Sequence, residues 1–289
     1  MRNLRPILLM IAAMGFFAIG DSAIKLAARA IPSGQVLAAI GLFGGLAFAA
    51  MTRAQGHRIL APDFLYPEVI ARNLAEIVGT LSMVTALSLV ALSTTSAILQ
   101  AAPLAVTLGA ALLLGEAVGW RRWLASLVGF GGVLMIVRPG ASAFDVNTLW
   151  ALGAMLALAL RDLLTRLTPA TVPTLRLATY GMASLFPAGL ASMVLFGEAP
   201  APMRLATIAI VALAVAAGVV GYWALTAAMR MGEVSAVAPF RYSRILFALI
   251  AGALIFDENP DAWTLLGAAI TVAAGLYIFL REGRAKGGT

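Results

Sequence analysis

The sequence predicts an all-α membrane protein of about ten transmembrane helices, built as two inverted five-helix repeats around a central cavity. Three observations carry this expectation. Apolar residues fill 62% of 289 positions and charged residues 11%, with mean hydropathy +0.96, whereas a soluble domain is about half apolar and about a quarter charged. Long apolar runs recur between short polar or Pro/Gly breaks, and roughly 20 such residues cross about 30 Å of hydrocarbon. The second half of the chain also repeats the first.

In order, the apolar runs give spans Ile7 to Ala28, Gln35 to Met51, Val69 to Val90, Thr94 to Leu114 and Trp123 to Val137. They continue with Thr148 to Leu167, Thr174 to Phe196, Leu205 to Met229, Ser235 to Phe256 and Ala262 to Leu280. Pro32-Ser33-Gly34 makes a tight turn with Ser33 as the expected helix cap, and Glu198 to Pro202 cannot continue a helix because proline lacks the amide donor. Arg53 to Tyr66 is the one longer connection and reads as a cytoplasmic surface segment. Arginine and lysine gather on one side, at Arg2, Arg5, Arg53, Arg58, Arg121, Arg122, Arg166, Arg230, Arg281, Arg284 and Lys286, while the other keeps little beyond Arg29, Arg138 and Arg204. This asymmetry predicts a multi-pass protein of the bacterial inner membrane with both termini cytoplasmic. No small-residue cleavage site follows Met1 to Met10, so the first helix is expected to be retained.

The composition also excludes several functions. Without cysteine, thiolate chemistry and disulfides fall away, and a single histidine, His57, cannot build a metal cluster with partners of its own kind. No metal or cofactor is expected. The net charge of +7 is spread over helix ends rather than gathered into a nucleic-acid-binding stripe. No phosphate-binding P-loop is present, so a transport step would run on a solute or proton gradient. An enzyme is not expected, because Asp21 and Asp162 lie at different depths. The partners expected are a small-molecule substrate and the bilayer, for a monomer or a homodimer.

The repeat is carried by charged and Gly/Glu positions. At an offset of 142, Ala91 to Ala97 lies over Glu233 to Pro239, and Leu114-Gly115-Glu116 over Phe256-Asp257-Glu258. At an offset of 141, Asp21 lies over Asp162 and Lys25 over Arg166. Five crossings per copy is odd, so the second copy enters from the opposite side, the inverted arrangement of many secondary transporters. The repeats are placed at 1–140 and 141–289.

Several segments resemble the EamA-type branch of the drug/metabolite transporter superfamily. They are Ala91 to Ala97, Leu112 to Glu116 followed by Trp120 to Leu124, Gly131 to Leu134 closing at Arg138-Pro139-Gly140, Pro239-Phe240-Arg241-Tyr242, and Phe256 to Pro260. The resemblance covers essentially the whole chain. It implies ten helices, a cavity lined by the first, third, fourth, sixth, eighth and ninth, and peripheral fifth and tenth helices. It further implies a secondary transporter for a small organic metabolite, with amino-acid export the first expectation. S-adenosylmethionine, riboflavin or another metabolite is the alternative, and a lipid or lipid-linked-sugar translocase a further one.

Ionisable groups inside a span mark a pathway, because hydrocarbon penalises them by several kcal/mol. Asp21 is expected in the outer half, with Lys25 four residues on and close enough to the surface to snorkel. The inner half is expected to hold Arg72, Asn73, Glu76, Arg161, Asp162, Arg241 and Arg244, with about two positive charges in excess. These groups are read as a gate pairing the two halves, with surplus guanidinium for an anionic substrate group; alternatively Glu76 neutralises only Arg72 on its own helix. Gln100, Tyr222, Trp223 and Tyr242 complete the candidate pathway. Trp120 and Trp123 read as an interface anchor, and Gly129, Gly131, Gly132, Gly267 and Gly275 as close-packing positions.

Overall fold

The computed structural model describes residues 4–115, 119–139, 144–169, 171–231 and 237–286, with the side chains of residues 230, 238 and 279–286 left aside. The expectations placed on Arg2, Glu116, Gly140, Glu233 to Ala236 and the side chains of Arg230, Arg281, Arg284 and Lys286 lie outside the described residues.

The helices are α1 (Leu4–Ala28), α2 (Ser33–Ala54), α3 (Pro67–Leu89), α4 (Leu92–Leu99), α5 (Ala102–Leu113) and α6 (Trp120–Val137). They continue as α7 (Thr148–Leu167), α8 (Thr174–Phe196), α9 (Leu205–Met231), α10 (Ser243–Phe256) and α11 (Ala262–Lys286), with 3₁₀ turns at Pro62–Leu65 and Ala238–Tyr242. Among the described residues nine segments are long and apolar enough to cross a bilayer, and Ala262–Ile278 is a shorter apolar helix. The chain is a multi-pass membrane protein. Its helices hydrogen-bond their own backbone, which lipid demands of any spanning segment.

Two expected spans are interrupted. The fourth is broken between α4 and α5, where Ala101 donates to Ile98 at 3.0 Å and Leu104 to Ala101 at 2.9 Å. Pro103 cannot donate to the turn before it, so the helix tightens and restarts. The ninth enters through the 3₁₀ turn at Ala238–Tyr242, with Pro239 in the same role. Gln100 Nε2 donates to Arg241 O at 3.3 Å, so the two interruptions meet.

The main packing partners are α1 with α9, α3 with α7, α2 with α8, and α6 with α11. Each pair joins one of the first five spans to one of the last five, and moving every partner five spans along reproduces the same set. Glycines permit the closest approaches. A Cβ on Gly41 would stand 2.3 Å from the Phe186 amide of α8, and Cβ atoms on Gly132 and Gly267 would stand 2.5 and 2.4 Å from each other's carbonyls. Gly131 differs from the expectation, since nothing lies within 4 Å of its Cβ position. One helical step from Gly132 turns it away from α11.

The loops stitch the two sets of spans at both ends. At the end carrying Glu198, Ser33 Oγ and the Gly34 amide donate to the Glu198 carboxylate at 3.1 Å each. Gln35 exchanges hydrogen bonds with the Ala201 backbone at 2.8 and 2.9 Å, and Arg138 pairs with Asp261. Ser33 is therefore the first residue of α2 and not its cap: Pro32 holds that position, and Glu198 from the far loop satisfies the free amide. At the end carrying Arg53, buried Asp63 accepts from Tyr180 Oη at 2.8 Å and pairs with Arg176. The Arg53 to Tyr66 connection is thus anchored at Asp63, although Leu60 and Leu65 are exposed.

Candidate functional site

The charged groups of the spans assemble where spans one, three, six and nine approach one another. Glu76, buried in α3, accepts from Arg72 Nη2 at 2.7 Å one turn earlier and from Arg161 Nη1 of α7 at 3.1 Å. Glu76 therefore does more than neutralise its own-helix arginine: it also bridges α3 to α7. Thr80 Oγ1 adds a contact at 3.4 Å. Arg72 is buried. Gly181 of α8 opens the space it fills, since a Cβ there would stand 2.3 Å from Arg72 Nη1. That nitrogen also donates to Asn73 Oδ1 at 3.0 Å and Leu177 O at 3.3 Å.

Arg161 is shared. Its Nη2 stands 2.7 Å from Asp162 Oδ1, and its Nε donates to the same oxygen at 2.9 Å. Asp162 keeps 41% of its side chain uncovered. The cluster thereby acquires a guanidinium held between two carboxylates from different helices, a geometry that arginine's planar fork suits.

Asp21 joins the cluster through Arg244. Its Oδ2 accepts from Arg244 Nη2 at 2.6 Å and Nε at 3.1 Å, and the Arg244 guanidinium lies over the Phe17 ring at 5.4 Å. Counting residues from the span ends separated these two, but an arginine side chain reaches about a turn of helix, and the two groups meet between α1 and α10. With Asp21 included, four arginines face three carboxylates, and the excess is one positive charge rather than two. Among the described residues Arg241 is the guanidinium of the four without an ion pair; it is exposed, within electrostatic reach of Asp162 and Arg161.

Lys25 does not snorkel. It is buried, donates to Leu87 O at 3.2 Å and to Val90 O at the end of α3, and stands 3.6 Å from Glu258 Oε1. The carbonyls left free where α3 stops attract it inward more strongly than the headgroup region does.

Of the remaining candidates, Gln100 lies at the α4–α5 break, and Tyr242 is buried against Gly275 of α11 and lies within electrostatic reach of Arg241. Trp223 is 58% exposed on α9. With Tyr222, Gln55, His57, Thr171 and Thr226 it lines a cavity of about 670 Å³ at the end carrying Arg53. The described lining holds no Asp, Glu, Lys or Arg. Tyr222 touches Phe48 edge-on at 5.0 Å between ring centres and lies within electrostatic reach of Arg72, which connects the uncharged mouth to the charged cluster. Sequence reasoning missed Glu198 and Glu258 as residues joining the halves. The signal was the acid that follows the fourth span in one copy and the ninth in the other, Glu116 and Glu258.

A bundle of apolar helices with a charged interior and an uncharged aromatic mouth fits a membrane transporter. The chain belongs to the EamA-like transporter family, which matches residues 4–138 and again 147–280. It is 27% identical over 216 residues to the S-adenosylmethionine uptake transporter of Rickettsia bellii, covering 75% of this chain and 73% of that one. It is 29% identical over 185 residues to the riboflavin transporter of Vibrio cholerae, covering 63% and 60%. A solved crystal structure superposes with TM-score 0.65 at 20% identity over 95% of this chain and 98% of its own length, a likeness of fold. The protein is a transporter of a small metabolite.

Proposed function

We propose that this protein moves a metabolite bearing an α-amino-carboxylate head and a planar ring, of the S-adenosylmethionine kind, across the bacterial inner membrane by alternating access, with both termini cytoplasmic. The single observation that carries the reading is Arg241, exposed and without an ion pair among the described residues, beside the half-uncovered carboxylate of Asp162. Together they offer a fork for a carboxylate and an acceptor for an ammonium. The uncharged cavity walled by Trp223 and Tyr222 suits a ring, and its volume falls in the range of small-molecule sites.

Alternating access rests on two repeats, at about 1–140 and 141–289, related by inversion. The double match of one family supports this, as do the reciprocal helix pairing and the equivalent left-handed residues Gly115 (φ +66°) and Asp257 (φ +54°). The Glu76–Arg161 pair, drawn from both repeats, is the gate between the mouth and the interior. Free amino-acid export would engage the same charges but leave the aromatic mouth without a role, and the relatives' names speak for larger solutes.

The test is uptake of labelled S-adenosylmethionine, methionine and riboflavin into liposomes with unlabelled competitors. We expect saturable S-adenosylmethionine flux, and at least a tenfold loss for Arg241→Leu with unchanged membrane expression. Flux of riboflavin or free amino acids in its place, or full flux by the variant, sinks this reading.

A further inference from the structure

We infer that Glu258 is a positioning residue for the transport cycle, the removable bolt that holds the Glu198 end closed; this rests on the alternating-access reading above. Its carboxylate accepts from the Leu92 amide at 2.6 Å, the Ser93 amide at 2.9 Å and Ser93 Oγ at 2.8 Å. These are the first amides of α4, the positive end of a helix, which lack partners of their own. The chain break just before α4 presents the opposite pole, the carbonyls of Leu87 and Val90 at the end of α3, and Lys25 donates to both. Lys25 and Glu258 then face each other at 3.6 Å. One ion pair therefore neutralises both poles of the α3–α4 break, and its two members come from different repeats.

The contact continues beside the pair. Lys25 lies over the Phe256 ring at 5.4 Å and Arg29 at 4.9 Å, so the end of α1 grips the end of α10. Glu258 is aimed by the turn that stops α10: Asp257 takes a left-handed φ of 54°, and the Glu258 amide returns to Gly252 O at 3.0 Å. Gly252 leaves room for the carboxylate, because a Cβ there would stand 2.7 Å from Glu258 Oε2.

Breaking this contact exposes a carboxylate, an ammonium and both helix poles at once, a heavy cost in an apolar surrounding and a small one in water. The bolt is accordingly strong while dry and slides when water enters from the Glu198 end. The contacts among Gln35, Ser33, Glu198 and Ala201 join α2 to the α8–α9 loop, on helices that contribute no charged side chain to the cluster.

The chain has no cysteine, so a single reporter is clean. Ser96→Cys places a thiol one turn below the first turn of α4, at a site 2% exposed. The reagent is a membrane-impermeant maleimide applied from each face of proteoliposomes. With Glu258→Gln, and independently with Gly252→Ala, we expect labelling of this reporter thiol from the Glu198 end to accelerate at least tenfold, with the rate from the Arg53 end unchanged. Lys25→Arg keeps the charge and is expected to keep labelling slow.

Unchanged labelling in both variants, even with a lowered unfolding temperature, overturns the bolt and leaves Glu258 a structural cap. Absence of metabolite flux in the unsubstituted protein instead overturns the transport reading; the labelling rates still decide whether Glu258 closes this end.

Discussion

Glu76 carries two guanidiniums on one buried carboxylate, so its loss leaves more than a missing contact. Glu76→Gln strands Arg72, 8% exposed, without its counter-ion, and breaking a buried pair costs about 3 kcal/mol or more. A lowered unfolding temperature in detergent is expected, with flux reduced at least tenfold; a variant as stable as the parent would show that water already solvates these arginines. Asp261, outside the spans, makes a separate prediction. The hydrogen bond from Arg138, followed by the Thr264 amide, holds its pKa near about 2 against an ordinary 3.8. The folded value is the lower one, so the pair's contribution is complete above pH 3.8 and disappears as pH falls toward 2. Stability lost across that window is expected to shrink in Asp261→Asn, read from melting curves at stepped pH. The pair is exposed, so the effect is small.

At the scale of elements, the packing of α6 on α11 makes a contrast between neighbouring glycines. A side chain on Gly132 meets the α11 backbone, whereas Gly131 faces open space. Gly132→Val is expected to cost about 1–3 kcal/mol by forcing the helices apart, and Gly131→Ala to gain about 0.5–1 kcal/mol from helix propensity. Equal effects on thermal unfolding would contradict the contact. The spans themselves were legible as apolar runs, because lipid imposes one length on every crossing. The interruptions were written at Pro103 and Pro239, yet hydropathy averages over them, and both were read as continuous spans. The inter-helical partners of Asp21 and Lys25 were illegible for a different reason. The i, i+4 spacing on α1 suggested that each served the other, and only the fold brings Arg244 and Glu258 near. Ser33 was assigned a capping role that a carboxylate 165 positions away fulfils.

For the whole molecule, the orientation proposed above makes His57 and Glu198 face opposite compartments. Single cysteines placed at each should react with impermeant reagent from opposite sides of oriented vesicles, and labelling of both from one side would contradict the topology. The two family matches fall on segments whose charged and glycine positions already aligned in the sequence, because turns tolerate exchange less than runs of alanine and leucine do. Substrate class was the least legible feature. The groups expected to meet the solute, Arg241, Asp162 and Trp223, are scattered along the chain, and no spacing within it reports their convergence.

The pairing of α1 with α9, α2 with α8, α3 with α7 and α6 with α11 bears on how the protein is made. During synthesis the early helices emerge with their small-residue faces and charged groups bare, and their mates arrive only after many further residues. Arg72 and Glu76 can neutralise each other within α3 through that interval, whereas Asp21 waits for Arg244. A chain cut between the two sets of spans is expected to regain its fold only when both parts are supplied together.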